Sequence, residues 1–131
     1  MTDTMTDTRT SAATDPADIA RRYLAAWNER DAERRRALIA ALWAEDAAFR
    51  DPIMAGDGRA EIDAVIEGVQ GRYPGFRFRQ IGKADGFGDY VRLSWGLGPD
   101  GADAPIKGTD FALVEAGQLK TVTGFFDQLP S

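Results

Sequence analysis

The feature that most constrains the fold of this chain is a change in the spacing of its apolar residues at the segment YPG, residues 73–75. Before this segment, apolar side chains recur at intervals of three and four residues, which indicates helices. After it, apolar and polar residues alternate, which indicates strands with two distinct faces. The sequence therefore predicts three helices followed by four long strands that are joined as antiparallel hairpins.

Each predicted helix carries one apolar stripe. The first helix begins with Asp15 as its N-cap and Pro16 in the first helical position. A short strand, AAFRD at 47–51, separates the second helix from the third. The stripes are Ile19, Tyr23, Ala26 and Trp27 in the first helix, Leu38, Ile39, Leu42 and Trp43 in the second, and Ile62, Val65, Ile66 and Val69 in the third.

The strands predict a sheet that covers the helices on one side. In the first long strand Phe76, Phe78 and Gln80 share one face. The later strands are YVRLSWGLG, IKGTDFALVEAG and QLKTVTGFFDQL. A sheet with its helices segregated to one face is an α+β architecture. If this sheet curls around the helices, it forms a cone with one open mouth, and a ligand would bind there.

Two segments of the chain differ in composition. Residues 1–14 are polar, contain the near repeat MTDT-MTDT and are predicted to be disordered, whereas residues 15–131 are predicted to form one domain. No stretch approaches the ~20 consecutive apolar residues of a membrane span, so we expect no membrane partner. The N-terminal segment lacks the apolar core of a signal peptide, so we expect a cytoplasmic protein.

The chain has no cysteine and no histidine. This removes thiolate chemistry, zinc–thiolate sites, the commonest general base and the commonest transition-metal ligand, so we expect neither a metal nor a cofactor. Acid–base chemistry must then fall to Asp, Glu, Tyr or Lys. The net charge of −5 argues against a nucleic-acid partner. The one basic cluster, Arg34–Arg36, is flanked by acids and is predicted to be a solvated helix face.

Asp51 is a candidate for the lining of the cone. It lies two residues beyond Phe49 and therefore on the same strand face if the strand continues. It also precedes Pro52, and an aspartate before proline commonly starts a turn. The local sequence leaves both interpretations open.

Asp110 is a second candidate. In the run TDFALV, alternation places it on the same face as Ala112 and Val114. The alternative is an ion pair with Lys107 or Arg92 at a sheet edge.

Tyr23 is a third candidate, one turn before Trp27 on the first apolar stripe. Taken alone, a tyrosine in this position is more often a core aromatic whose hydroxyl reaches the surface. Gly124 shares a strand face with Val122 and Phe126, where a glycine leaves room for a ligand or marks a bulge. The predicted apolar wall, whose members are also candidates for plain core, comprises Trp27, Trp43, Met54, Phe78, Trp95, Val122 and Phe126.

Three segments carry a family resemblance: RRYLAAWNERD, LWAEDAAFRDP and IKGTDFALVEAGQLKTVTGFFD. They resemble the SnoaL-like branch of the NTF2-like superfamily over about residues 16–129. This resemblance implies a curved antiparallel sheet wrapped as a cone around three helices. It also implies a small apolar ligand and a homodimer formed through the sheet face.

Three positions also resemble ketosteroid isomerase of the same superfamily. The resemblance implies that Asp51 is a general base, and that Tyr23 and a protonated Asp110 donate hydrogen bonds to an enolate oxygen. Ketosteroid isomerase keeps one Asp neutral in an apolar site for this purpose. The expected function is therefore a cofactor-independent isomerase or cyclase that acts on an apolar carbonyl compound.

Other members of the superfamily provide alternatives. SnoaL-like polyketide cyclases close rings by acid–base catalysis with a similar set of groups. The limonene epoxide hydrolase type is disfavoured, because its pattern requires Arg and Asp where this chain has Gly108 and Gly124. A non-catalytic ligand-binding protein or a dimeric interaction protein on the same cone also remains open.

Overall fold

The computed structural model describes residues 15–130, so the predicted disordered tail at 1–14 lies outside the described residues. It contains the three predicted helices and the four predicted long strands. The predicted short strand at 47–51 corresponds to a longer strand that ends at Arg50, and one further short strand precedes the third helix. The elements are α1 (Pro16–Asn28), α2 (Ala32–Leu42), β1 (Trp43–Arg50), β2 (Ala55–Asp57), α3 (Gly58–Arg72), β3 (Phe76–Phe87), β4 (Tyr90–Pro99), β5 (Ile106–Glu115) and β6 (Gln118–Gln128).

The strands form one sheet in the order β2-β1-β6-β5-β4-β3. All neighbours are antiparallel except β1 and β6, which are parallel, with Phe49 opposite Val122. Register shifts interrupt the β3–β4 pair after Ile81 and the β5–β6 pair at two points. Such bulges bend and twist strands, and they let this sheet curve around the helices. The predicted α+β cone is confirmed.

The helix starts follow from their caps. Asp15 Oδ1 accepts a hydrogen bond from the Ala17 amide at 3.2 Å, and Asp31 Oδ2 accepts one from the Arg34 amide at 2.9 Å. The end of α2 differs from the prediction, because Trp43 is the first residue of β1.

The buried face of α2 also differs from the predicted stripe. Leu38 is 36% exposed, and the buried residues of α2 are Arg35, Ile39 and Leu42. The prediction that the whole basic cluster is solvated is therefore wrong for Arg35, whose side chain is only 2% exposed.

Arg35 is buried because α3 and the end of α1 supply partners for its guanidinium. Its Nε donates to Asp63 Oδ1 on α3 at 2.6 Å, and its Nη1 donates to Gln70 Oε1 at 3.1 Å. Gln70 Nε2 in turn donates to the main-chain oxygens of Trp27 and Glu29, both at 2.9 Å, at the end of α1. A buried charge is tolerated only with partners of this kind, and here they tie the helices together.

The core lies between the helices and the concave face of the sheet. An aromatic group from α1, β1 and β3 forms its centre, with Trp27 packed 5.6 Å from Phe49 and 5.2 Å from Phe78 between ring centroids. On the convex face Phe111 and Phe125 are exposed. None of the helices within residues 15–130 has the length and apolar character needed to cross a membrane.

Candidate functional site

A cavity of about 730 Å³ opens between the concave face of the sheet and helices α1 and α3. This volume lies within the range of small-molecule sites in proteins. Exposed lining residues, which include Ile53, Arg72 and Leu129, surround its mouth. Five of the seven predicted wall residues line the cavity, namely Trp27, Met54, Phe78, Trp95 and Phe126.

The other two predicted wall residues, Trp43 and Val122, lie in the core and are not among the residues that line the cavity. Trp43 is fully buried and its ring packs 5.9 Å from that of Tyr23. Val122 is 1% exposed and is paired in the sheet between Phe49 and Ala112. Strand pairing therefore places both side chains in the core, away from the cavity.

Tyr23 and Asp110 form a buried pair in the cavity. The Tyr23 hydroxyl donates to Asp110 Oδ2 at 2.6 Å, and the two residues are 2% and 4% exposed. Tyr23 lies in the middle of α1, and Asp110 lies on the inner face of β5 with Ala112 and Val114, as alternation predicted. The alternative of an edge ion pair with Lys107 or Arg92 is wrong, because Asp110 is buried against Tyr23 and Arg92 pairs with Asp85 at 2.8 Å.

Burial controls the protonation of this pair. Loss of solvent raises the pKa of Asp110 from its ordinary 3.8 to about 6, while the adjacent Tyr23 hydroxyl and Trp95 indole oppose the rise. The negative charge of Asp51 adds a smaller upward contribution. Burial, followed by the Asp110 charge, raises the pKa of Tyr23 well above its usual value. Tyr23 therefore keeps its proton and remains the donor of the pair.

Asp51 begins a turn and also lines the cavity, so both interpretations of the sequence hold. Its Oδ1 accepts hydrogen bonds from the amides of Ile53 at 2.9 Å and Met54 at 2.7 Å. Its own amide donates to the Met54 carbonyl at 3.0 Å. The side chain is partly buried, and no residue within 15–130 donates to Oδ2. One carboxylate oxygen is therefore fixed by the turn and the other is available to a ligand.

Gly124 provides the space that the two acids occupy. It lies opposite Asp110 in the β5–β6 pair, away from the register shifts. A β-carbon at residue 124 would come within 2.6 Å of Asp110 Oδ1 and 3.4 Å of Asp51 Cβ. The glycine thus accommodates the Asp110 carboxyl group rather than marking a bulge.

Sequence reasoning did not identify Arg72, which also lines the cavity. Its signal was present, because Val65, Val69, Arg72 and Tyr73 continue one helical face at intervals of three and four residues. The prediction counted only the apolar members of that face. Within residues 15–130, no three acidic side chains converge closely enough to hold a metal ion.

Comparison with known proteins identifies similar chains. The model of the SnoaL-like domain family matches residues 20–122. A SnoaL-like family protein of Agrobacterium tumefaciens, named as a candidate isomerase, is 45% identical with a TM-score of 0.81, over 86% of this chain and 97% of that chain. No curated protein sequence gives a significant match.

Two more distant structures share the fold. A candidate ketosteroid isomerase of Kribbella flavida is 24% identical with a TM-score of 0.66, over 88% of this chain and 80% of that chain. A candidate polyketide cyclase of Sinorhizobium meliloti is 15% identical with a TM-score of 0.67, over 86% of this chain and 97% of that chain. At these identities the likeness concerns the fold alone.

Proposed function

Because the chain belongs to the SnoaL-like family of the NTF2-like superfamily, we propose that it is a cofactor-independent acid–base enzyme, an isomerase or cyclase of an apolar carbonyl compound. One observation carries this proposal: a single apolar cavity holds Asp51 together with the buried Tyr23–Asp110 pair. A base and an oxyanion partner in one largely apolar site are what proton abstraction next to a carbonyl requires.

Asp51 acts as the general base in the proposed mechanism. Its free Oδ2 takes a proton from the carbon next to the substrate carbonyl, and the electrons of that C–H bond form the enolate. In an isomerisation the protonated Asp51 returns the proton to another carbon. In a cyclisation the enolate carbon attacks a second carbonyl of the substrate, and the alkoxide so formed takes the proton.

Tyr23 and Asp110 stabilise the enolate oxygen in the proposed mechanism. While Asp110 is ionised, it accepts the single proton of the Tyr23 hydroxyl. When Asp110 is protonated, it donates its own proton to the enolate oxygen, and the Tyr23 hydroxyl is free to turn from Asp110 and donate there as well. The pKa of Asp110, raised to about 6 by burial, makes the neutral acid accessible near neutral pH. An apolar substrate that displaces water from the cavity favours the neutral acid further, because it removes solvation of the charged form. Fixed donors in a dry site stabilise developing charge by several kcal/mol each.

Proton abstraction can be tested directly by hydrogen–deuterium exchange at the α-carbon of ketones. The panel consists of cyclic enones and polyketide-like ketones, and exchange is followed by mass spectrometry. We expect exchange with the parent protein and a loss of about a hundredfold or more in Asp51→Asn, which keeps the shape and removes the base. Tyr23→Phe should retain Asp51 chemistry at a rate roughly a hundredfold to a thousandfold lower.

Asp103→Asn is the matched control for the loss of one carboxylate. Asp103 is exposed in the β4–β5 loop and does not line the cavity, so this variant should exchange at the parental rate. Unchanged exchange in Asp51→Asn would remove Asp51 from the mechanism. Binding of the ketones without exchange would instead support a non-catalytic ligand-binding protein.

We also propose that two copies of the chain pair through the convex face of the sheet. Phe111 and Phe125 are 43% and 54% exposed there and contact each other edge to face, with centroids 5.8 Å apart. Beside them the Thr109 hydroxyl oxygen, Oγ1, lies 2.8 Å from Ser94 Oγ and donates a hydrogen bond to Asp127 Oδ2 at 2.6 Å. An exposed apolar patch with a polar margin is typical of an interface, and a two-fold axis would pair the patch with itself.

A further inference from the structure

Among residues 15–130, Arg72 is the one positively charged residue that lines the cavity. It lies in the last turn of α3 and is exposed at the mouth. Within residues 15–130 it takes part in no ion pair or side-chain hydrogen bond, whereas Arg35, Arg50 and Arg92 each have a carboxylate partner. The guanidinium of Arg72 is therefore available to a ligand.

The position of Arg72 along α3 separates it from the turn at Asp51. Gly56, which follows that turn, packs against Glu61 and Ile62 near the start of α3. Arg72 lies ten residues beyond Ile62, which is about 15 Å along the helix axis. The stretch of cavity wall between these levels is apolar on the helix side, where Val65 and Val69 line it.

The charges of the cavity favour one orientation for a ligand with an anionic end. Asp51 and Asp110 are both acidic and lie together beside Gly124. Their charges repel an anion from that part of the cavity, and Arg72 attracts it to the mouth. A neutral carbonyl at the Tyr23–Asp110 pair does not incur this repulsion.

We propose that the substrate is a keto acid: its neutral carbonyl lies at the Tyr23–Asp110 pair and its carboxylate binds Arg72 at the mouth. A planar guanidinium can donate two parallel hydrogen bonds to a carboxylate, which fixes the ligand in register as well as holding it. Arg72 is thus a specificity-determining residue. This inference deepens the proposed function and rests on it for the placement of the carbonyl.

Binding of a matched pair of ligands tests the role of Arg72. The probes are naphthoylbutyric acid, an aryl ketone with a terminal carboxylate, and its uncharged methyl ester. Quenching of the fluorescence of Trp27 and Trp95, which line the cavity, reports binding without turnover. We expect the ratio of the ester Kd to the acid Kd to fall roughly fivefold in Arg72→Gln, as for an exposed ion pair.

Arg36→Gln is the matched control. Arg36 is exposed on α2, does not line the cavity and has no ion-pair partner within the described part of the chain. This variant removes the same charge and should leave both dissociation constants unchanged. Added salt should reduce the preference for the acid in the parent protein but not in Arg72→Gln.

Two results would overturn the inference. Dissociation constants for acid and ester that both stay unchanged in Arg72→Gln would show that Arg72 does not contact the carboxylate. Equal weakening of acid and ester would show that Arg72 only supports the end of α3. Because these measurements need no turnover, a preference that depends on Arg72 without α-carbon exchange would refute the proposed chemistry and leave the keto-acid ligand standing.

Discussion

Asp51 and Asp110 are two carboxyl groups of one cavity in different surroundings. Asp110 is 4% exposed and accepts the Tyr23 hydroxyl, whereas Asp51 is partly buried and is fixed through one oxygen by two main-chain amides. Sites in which the environment treats two titratable groups differently can assign them different roles. The division proposed here, with Asp51 as base and Asp110 as neutral donor, depends on that difference.

Burial of Asp110 makes the stability of the protein depend on pH. Because its folded-state pKa is raised from 3.8 to about 6, the folded protein binds a proton more tightly than the unfolded chain between these values. Asp110 therefore lowers the free energy of unfolding as pH rises through this window, by roughly 3 kcal/mol at most for a shift of about two pKa units. Asp110→Asn cannot ionise and should escape this loss.

Urea denaturation of both proteins between about pH 4 and pH 7 checks this expectation. The free energy of unfolding of the parent minus that of Asp110→Asn should decline across the range. Taking this difference cancels the pH-dependent contributions of the acidic residues that the two proteins share. Asp103→Asn controls for the removal of an exposed carboxyl group. A difference that stays flat or rises with pH would contradict an unfavourable burial of the charged Asp110.

At the scale of elements, the sequence predicted those features that depend on neighbouring residues, such as helix caps and the face that a side chain occupies. The helix starts at Pro16 and Ala32 follow from side-chain caps within the same turn, and the alternation in β5 placed Asp110 on the inner face. Trp43 continues the apolar run of α2 in the sequence, yet it begins β1 because it pairs with Leu119 of β6. Leu119 is far along the chain, so this pairing was not predictable from the residues around Trp43. No local pattern carries that parallel pairing.

The burial of Arg35 could likewise not be predicted from the sequence. Its neighbours on α2 are also arginines, and its partner Asp63 lies on another helix. We expect Arg35→Met to lower the free energy of unfolding by roughly 2–4 kcal/mol, since it leaves a largely buried carboxylate without its charge partner. Arg34→Met removes a residue whose side chain is 75% exposed and should cost at most about 1 kcal/mol.

Urea denaturation of these variants separates charge pairing from the loss of one long side chain. Adding Asp63→Leu to Arg35→Met should restore part of the lost stability, because both charges are then replaced by apolar groups. Equal small effects of Arg35→Met and Arg34→Met would mean that the pair between α2 and α3 does not hold the helices together.

At the scale of the whole molecule, the cone brings together residues that are distant in sequence. Tyr23, Asp51 and Asp110 could be proposed from the face that each occupies, because helical and strand periodicity determine faces. The depth of each residue in the cone could not be predicted in this way. For that reason Trp43 and Val122 were expected to line the cavity but lie in the core. Depth depends on sheet curvature, which arises from bulges without a clear sequence signal.

The convex face of the sheet gives a prediction about assembly. Phe111→Ser should shift the proposed dimer towards monomer, because it removes an apolar side chain from the centre of the patch. Sedimentation equilibrium over a range of protein concentrations measures this shift. Phe87→Ser is the control, since Phe87 is 78% exposed but lies at the β3–β4 turn. A parent protein that stays monomeric at every concentration would rule out the dimer.

The absent side chain at Gly124 restricts the order in which this site can change. A β-carbon there would lie 2.6 Å from Asp110 Oδ1, so Gly124→Ala requires the buried Asp110 carboxyl group to turn and disturbs its hydrogen bond with Tyr23. Shortening residue 110 first would open the path, but it would remove the proposed donor. Residues 110 and 124 are fourteen positions apart in sequence, yet they form a single mutational unit. A homologue that loses the acid at residue 110 can place a side chain at residue 124 on the cavity wall. A homologue that retains the acid should also retain glycine at residue 124.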